Sequence, residues 1–340
     1  MLIDIFARRY EAVPVRDTFE ERDRRLLVQA FRILSEDISP EYRDGKEDAQ
    51  GVAFWTTLHT KLSRELGLQN LSNLYYSYTM QWGGKDIRQT SKYSCLKVCE
   101  NWTFQTVSGD CDTHIKERIS LIEIGFRARE HEIFVMNATP ITLSASHRSA
   151  VSQSEMIAGI KSRRLKKTED FRAQVDELNA RFRQANYGLH YHNGFIQAST
   201  DETIQTRIED PFWALINYPT WQNVDLDMKE ALDLRDTDGR DPAFYAARSL
   251  ESTIKIISDM KGWSHGKEKG AHNFIDNLMS KANGFISAWE GASLKEFFTH
   301  VRNPFGHGPG ADQMPSLSLQ QTEWAIEFSM IWTKSLIRRL

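Results

Sequence analysis

Apolar residues along most of the chain recur every three or four positions, the spacing of an amphipathic helix. Residues 20–35 place Leu26, Leu27, Ala30, Phe31 and Leu34 on one face. Residues 51–66 repeat the pattern with Val52, Trp55, Leu58, His59 and Leu62, and Gly67 supplies a helix stop. His59 lies beside that apolar face, the place of a satisfied core histidine rather than a ligand. Two more helices are expected from Tyr93 to Trp102 and from His114 to Glu130, the second with Ile115, Ile119, Ile122 and Phe126 at helical spacing. Residues 137–155, rich in Ser, Thr and Ala with one Pro, read as a loop. A helix follows in which Lys161, Arg163, Arg164, Lys166 and Lys167 precede Phe171, Val175, Leu178 and Phe182; a solvated basic face is favoured there over an RNA contact.

The period shortens between Asn186 and Ala198, where apolar and polar residues partly alternate around Asn193-Gly194, a two-residue hairpin signal. A small β-hairpin is expected, with His190 and His192 on one face of a surface strand pair rather than on a metal. From about residue 210 helical spacing returns, over 221–236, 241–260, 270–288, 291–302 and 318–339. The last carries Trp324, Phe328, Ile331, Trp332 and Leu336 as one stripe. Five helices on short connections imply an antiparallel bundle. The expected fold is therefore mainly α: an N-terminal helical domain with a small hairpin over 1–205, and a C-terminal helical bundle over 206–340.

Length agrees, since 340 residues suit about two domains, and eighteen Phe and nine Trp can fill two cores. No stretch approaches the roughly 18 unbroken apolar residues of a membrane helix, and the opening residues lack the apolar run of a secretory signal, so a cytoplasmic protein with no membrane partner is expected. A net charge of -3 argues against generic coating of nucleic acid, but leaves room for one small cationic cleft. The three cysteines, Cys95, Cys99 and Cys111, are odd in number and clustered, which argues against a disulfide framework. With His114 they form Cys-x3-Cys-x11-Cys-x2-His, a weak zinc candidate; the alternative puts Cys95 and Cys99 one turn apart on an inward helix face.

The segment richest in chemistry is Phe298-Thr-His-Val-Arg-Asn-Pro-Phe-Gly-His-Gly-Pro-Gly310. A helix is expected to end at Arg302-Asn303, because Pro304 cannot continue the ladder, and the glycines then force a tight turn around His307. That pairing suits metal-free RNA cleavage. Histidine can take and return a proton near neutral pH, and a planar, permanently charged guanidinium stabilises a phosphorane. Asn303 adds a neutral polar group to orient phosphate or imidazole. A second Arg-polar-His run, Arg183-Gln184 followed by His190, is set aside because it leads from a helix straight into the hairpin. The bland reading, in which Arg302 and His307 only tie down a loop, leaves a non-catalytic RNA- or protein-binding module as the alternative.

Arg302-Asn303-x3-His307 in a C-terminal bundle resembles the HEPN superfamily, and the chain as a whole resembles abortive-infection proteins of the AbiJ type. Ile5-Phe6-Ala7-Arg8-Arg9-Tyr10, Val175 to Phe182 leading into Tyr187-Gly188 and the hairpin, and Ala246 to Lys255 carry that likeness. Pro304 directly after Asn303 departs from the usual pattern. The resemblance implies a metal-independent endoribonuclease toxin of phage defence that uses no cofactor and leaves a 2′,3′-cyclic phosphate. It implies RNA as substrate and a homodimer that brings two Arg/His motifs together through the C-terminal bundle. It also allows a phage-derived trigger or an antitoxin as partner. Glu251, Ser252 and Lys255 match the family's Glu-Ser-x2-Lys helix and are carried over as supporting residues.

Overall fold

The computed structural model describes residues 5–82, 85–107, 109–142, 150–198, 204–305 and 315–340, with the backbone alone for 150–152. The fold is mainly helical, as expected, with three two-stranded antiparallel pairs. It divides into two compact units, Met1–Ile196 and Gln197–Leu340.

The first unit is built around α5 (Cys111–Ala138), preceded by α1 (Phe6–Arg9), α2 (Glu21–Arg32), α3 (Ala49–Glu65) and α4 (Cys95–Thr103) and followed by α6 (Ala150–Gln184). Ile115, Ile119, Leu121, Ile122, Ile124 and Phe126 of α5 are all buried, so this helix is apolar around most of its circumference, as a central helix must be. Its Glu123 is fully buried. The carboxylate accepts from the backbone N–H of Phe6 at 3.0 Å and of Ile196 at 2.9 Å, and pairs with Arg9 at 2.6 Å and Arg127 at 3.2 Å. One side chain thus ties the N-terminal segment and the last hairpin to the central helix. Asp23 does the same on α2: it accepts from Tyr187 Oη at 2.8 Å and Arg16 Nε at 3.0 Å while closing the capping box of its own helix. His59 is buried beside the core, as expected, and its Nε2 lies 3.4 Å from the Leu71 N–H.

Strands β5 (Leu189–His192) and β6 (Phe195–Ala198) form the expected hairpin, and Asn193 and Gly194 take φ of 41° and 89° as the tight turn requires. The expectation of a surface pair is corrected: Leu189 to His192 are all buried, because the Asn179 amide of α6 clamps Tyr191 through both its N–H (2.8 Å) and its C=O (3.1 Å). Two further hairpins lie outside the sequence expectations. The short β1 (Tyr42–Arg43) and β2 (Lys46–Glu47) turn on Asp44-Gly45, with φ of 50° and 74°. The eight-residue strands β3 (Tyr75–Trp82) and β4 (Lys85–Lys92) form a ribbon exposed over nearly its whole length. The loop expected over 137–155 is shorter, since α5 runs to Ala138 and α6 begins at Ala150.

In the second unit α7 (Asp210–Ile216), α8 (Gln222–Asp236), α9 (Pro242–Met260), α10 (Ala271–Met279), α11 (Ala288–Phe297) and α12 (Leu319–Ile337) enclose an apolar core. Helix α9 packs on α8 and α12, with Ala243, Ala246 and Ala247 on its buried face. Two polar contacts fix its register: Ser249 Oγ donates to the Val224 carbonyl at 2.9 Å, and the Thr253 and Thr333 hydroxyls meet at 3.3 Å. The helix expected over 270–288 stops at Met279, and the next begins at Ala288 rather than 291. Ser280 turns extended (φ -54°, ψ 145°) and ends the first, and Ser287 with Glu290 forms a capping box that opens the second. A Cβ on Gly291 would meet Met279 Sδ at 1.9 Å, so the Met279 side chain packs directly on the glycine and would have to move for any larger residue.

Candidate functional site

Helix α9 aligns Phe244, Arg248, Glu251 and Lys255 at spacings of four, three and four, so they share one stripe that points away from the Ala246–Ala247 core face. Helix α11 delivers the opposing cation. Its last turn widens into a π-helical segment, Phe298–Arg302, in which Phe298 and Val301 point into the core and Arg302 turns to α9. Such widened turns re-aim a side chain without ending the helix.

Glu251 is the hub. Its carboxylate is buried, with Lys255 Nζ at 2.8 Å on one oxygen and Arg302 Nε at 3.2 Å on the other. Its partners are less enclosed: the Arg302 side chain is 30% exposed and that of Lys255 44%. The Arg302 Nε is close enough to pair electrostatically but is not aligned for a hydrogen bond, and its two terminal nitrogens make none to the described residues. The guanidinium therefore stays partly open to solvent. Aromatic rings flank the cations, with the Arg302 Cζ 5.9 Å from the centre of Phe244 and Lys255 Nζ 5.8 Å from that of Phe274.

Arg248 completes the cluster and was not singled out from the sequence. Its Cζ also lies 5.9 Å from the Phe244 ring and 4.7 Å from that of Tyr245, so two guanidinium groups approach one aromatic ring. Asp227 of α8 hydrogen-bonds Arg248 and raises its pKa above the ordinary arginine range. Arg248, Lys255 and Arg302 thus gather at Asp227 and Glu251, with the Glu230 carboxylate also within electrostatic reach of Arg248. The signal in the sequence is the four-three-four spacing itself, which puts Arg248 beside Glu251 and Lys255.

The expected site residues are thus partly assembled. Arg302, Glu251 and Lys255 meet, and half-buried Asn303 follows Arg302 directly, its N–H bonded to the Phe298 carbonyl at 2.9 Å. His307 lies outside the described residues. His300, also on the π-helical segment, is exposed and sits 3.1 Å from Glu296. The zinc candidates are not gathered: among the described residues no three His, Cys, Asp or Glu side chains are placed to hold a metal ion. Cys99 is buried on the inward face of α4, and burial pushes its thiol pKa far up. His114 instead packs edge-on against Phe19, with centroids 5.7 Å apart, and burial together with Arg118 lowers its pKa to about 4. His190 and His192 stack on each other at 5.9 Å inside the first unit, and Arg183 of the discarded second run is exposed. The basic residues of α6 are mostly solvent-facing, with Arg164 held by the Thr139 carbonyl at 2.8 Å. No helix among the described residues is long and apolar enough to cross a membrane.

A family model described as AbiJ N-terminal domain 4 matches residues 4–214. The match takes in the first unit from residue 4 onward and ends before Glu251 and Arg302. No curated protein and no solved structure matches the chain.

Proposed function

The chain belongs to the AbiJ N-terminal domain 4 family, which makes it an abortive-infection-related protein, and from that premise we propose that its second unit is a metal-independent endoribonuclease acting in phage defence. The observation that carries the reading is Arg302, with its Nε set against the buried Glu251, its side chain still 30% exposed, and its Cζ near the Phe244 ring that Arg248 also approaches.

In this mechanism the RNA 2′-oxygen attacks the adjacent phosphorus as His307 removes its proton. The O2′–P bond forms, the P–O5′ bond breaks, and a proton returns to the leaving 5′-oxygen, leaving a 2′,3′-cyclic phosphate. Arg302 binds the non-bridging oxygens as they gain charge, and Glu251 fixes the direction from which it does so. Asn303 orients phosphate or imidazole, and Lys255 adds positive potential. A homodimer through the second unit places two such motifs about one scissile phosphate. The exposed apolar stripe of α12, with Trp324 51% and Ile331 43% exposed beside Phe328, suits that association. The first unit then senses infection or restrains the toxin, through a phage-derived trigger or an antitoxin.

The test is cleavage of total RNA by the purified protein in EDTA. Arg302→Ala and His307→Ala each lower the rate by about 10²-fold or more, with melting temperature unchanged. Cleavage that survives either change refutes the mechanism. The Glu251–Arg302 ion pair also fits a second reading, a binding module in which the pair is only structural. There, Arg302→Ala lowers the melting temperature and RNA stays intact throughout.

A further inference from the structure

The β3–β4 ribbon is a conspicuous expense of exposed apolar surface in the first unit. Two strands alone are marginally stable in water, yet both faces of this pair are open to solvent. The register places Tyr76, Tyr78, Met80 and Trp82 on one face, opposite Ser91, Gln89, Ile87 and Lys85. Tyr78 is 40% exposed and Trp82 71%. At the base of the ribbon Tyr76 stacks on Tyr93, with ring centroids 4.5 Å apart and planes 26° from parallel. From there the aromatic row opens into a groove of 1190 Å³ lined by Asn70, Asn73, Asn101 and the exposed ring of Phe104. The same stretch is locally basic: residues 69–105 hold Lys85, Arg88, Lys92 and Lys97 against only Asp86 and Glu100.

We propose that this ribbon and the groove at its base bind single-stranded nucleic acid, with bases stacking on the Tyr76–Tyr78–Trp82 face, a phosphate meeting Lys85 on that face, and Arg88 and Lys92 on the reverse face adding positive potential. Rings that lie open to solvent meet the π-face of any base, and a locally basic ribbon attracts the phosphate backbone, which is the chemistry of a single-strand platform. A duplex hides those base faces, and an extended peptide joining the ribbon edge has no use for a row of exposed rings on one face. The side-chain amides of the groove offer paired donors and acceptors to the edge of an unstacked base. This site is in the first unit and does not rest on cleavage by the second.

The experiment uses fluorescence anisotropy of the full-length protein with a labelled oligo-deoxythymidine of about 12 nucleotides, within the usual footprint of such platforms. DNA lacks the 2′-hydroxyl that the proposed cleavage requires, so the outcome is independent of that activity. Saturable binding is expected that weakens as salt rises. The exposed Tyr78→Thr/Trp82→Thr pair keeps strand propensity and weakens binding by at least about tenfold, while Lys85→Gln/Arg88→Gln flattens the salt dependence. Absence of saturable binding, equal affinity for a duplex of the same length, or unchanged binding by a folded Tyr78→Thr/Trp82→Thr protein overturns the proposal.

Discussion

Each half of the chain buries a glutamate at a junction of its elements, and the two carboxylates are served very differently. Glu123 in the first unit has two backbone N–H donors and the guanidinium of Arg9, whose side chain is only 5% exposed. Glu251 in the second unit has side-chain partners that reach water, Arg302 and Lys255. A carboxylate closed in by backbone amides and a buried cation holds parts of the fold together. One that faces half-exposed cations holds those cations in position for a further anion. The contrast separates a fastening from a candidate site among charge clusters that look alike in a sequence.

Matched substitutions give the sharpest test of that contrast. Glu123→Ala strands buried Arg9 and two backbone donors, and is expected to lower the unfolding free energy by about 3–5 kcal/mol in chemical denaturation. Glu251→Gln leaves cations that solvent can reach and is expected to cost about 1 kcal/mol or less, while lowering RNA cleavage by about 10²-fold because Arg302 loses its fixed direction. Equal stability losses at the two positions would erase the distinction.

A smaller effect is expected from pH, and only in the first unit. His114 titrates at about 4 in the folded protein, held down by burial and by Arg118, against an ordinary value of 6.5. The unfolded chain binds this proton first, so the contribution is complete above pH 6.5 and is lost as pH falls toward 4. Its size is about 1–3 kcal/mol, and His114→Phe should flatten that part of the stability–pH curve. A still smaller change tests the new helix start: Ser287→Ala removes half of a capping box and should cost about 1 kcal/mol, read as a lower melting temperature with the fold retained.

Local pattern was legible wherever one face of an element is buried. The helices of the second unit follow their apolar spacing, and Asn193-Gly194 marked its hairpin because two successive positive φ angles select those residues. The β3–β4 ribbon escaped because nothing buries it, although Tyr76, Tyr78, Met80 and Trp82 recur at period two just before Gly83-Gly84. The break after Met279 was missed because the apolar residues on its two sides keep a helical period across it. For the candidate site, Arg302, Glu251 and Lys255 were readable as residues, whereas Arg248 and the shared Phe244 ring were not.

By itself, the order of residues determined where helices form and which of their faces turn inward, since both follow from the 3.6-residue repeat and from the fixed preferences of glycine, proline and capping side chains. It did not determine that Leu189 to His192 lie inside, or that a guanidinium fifty-one positions from Glu251 would settle against it. Those outcomes depend on which elements pack together. Burial and ion pairing are properties of a neighbourhood in space, and the chain supplies that neighbourhood only once it has folded.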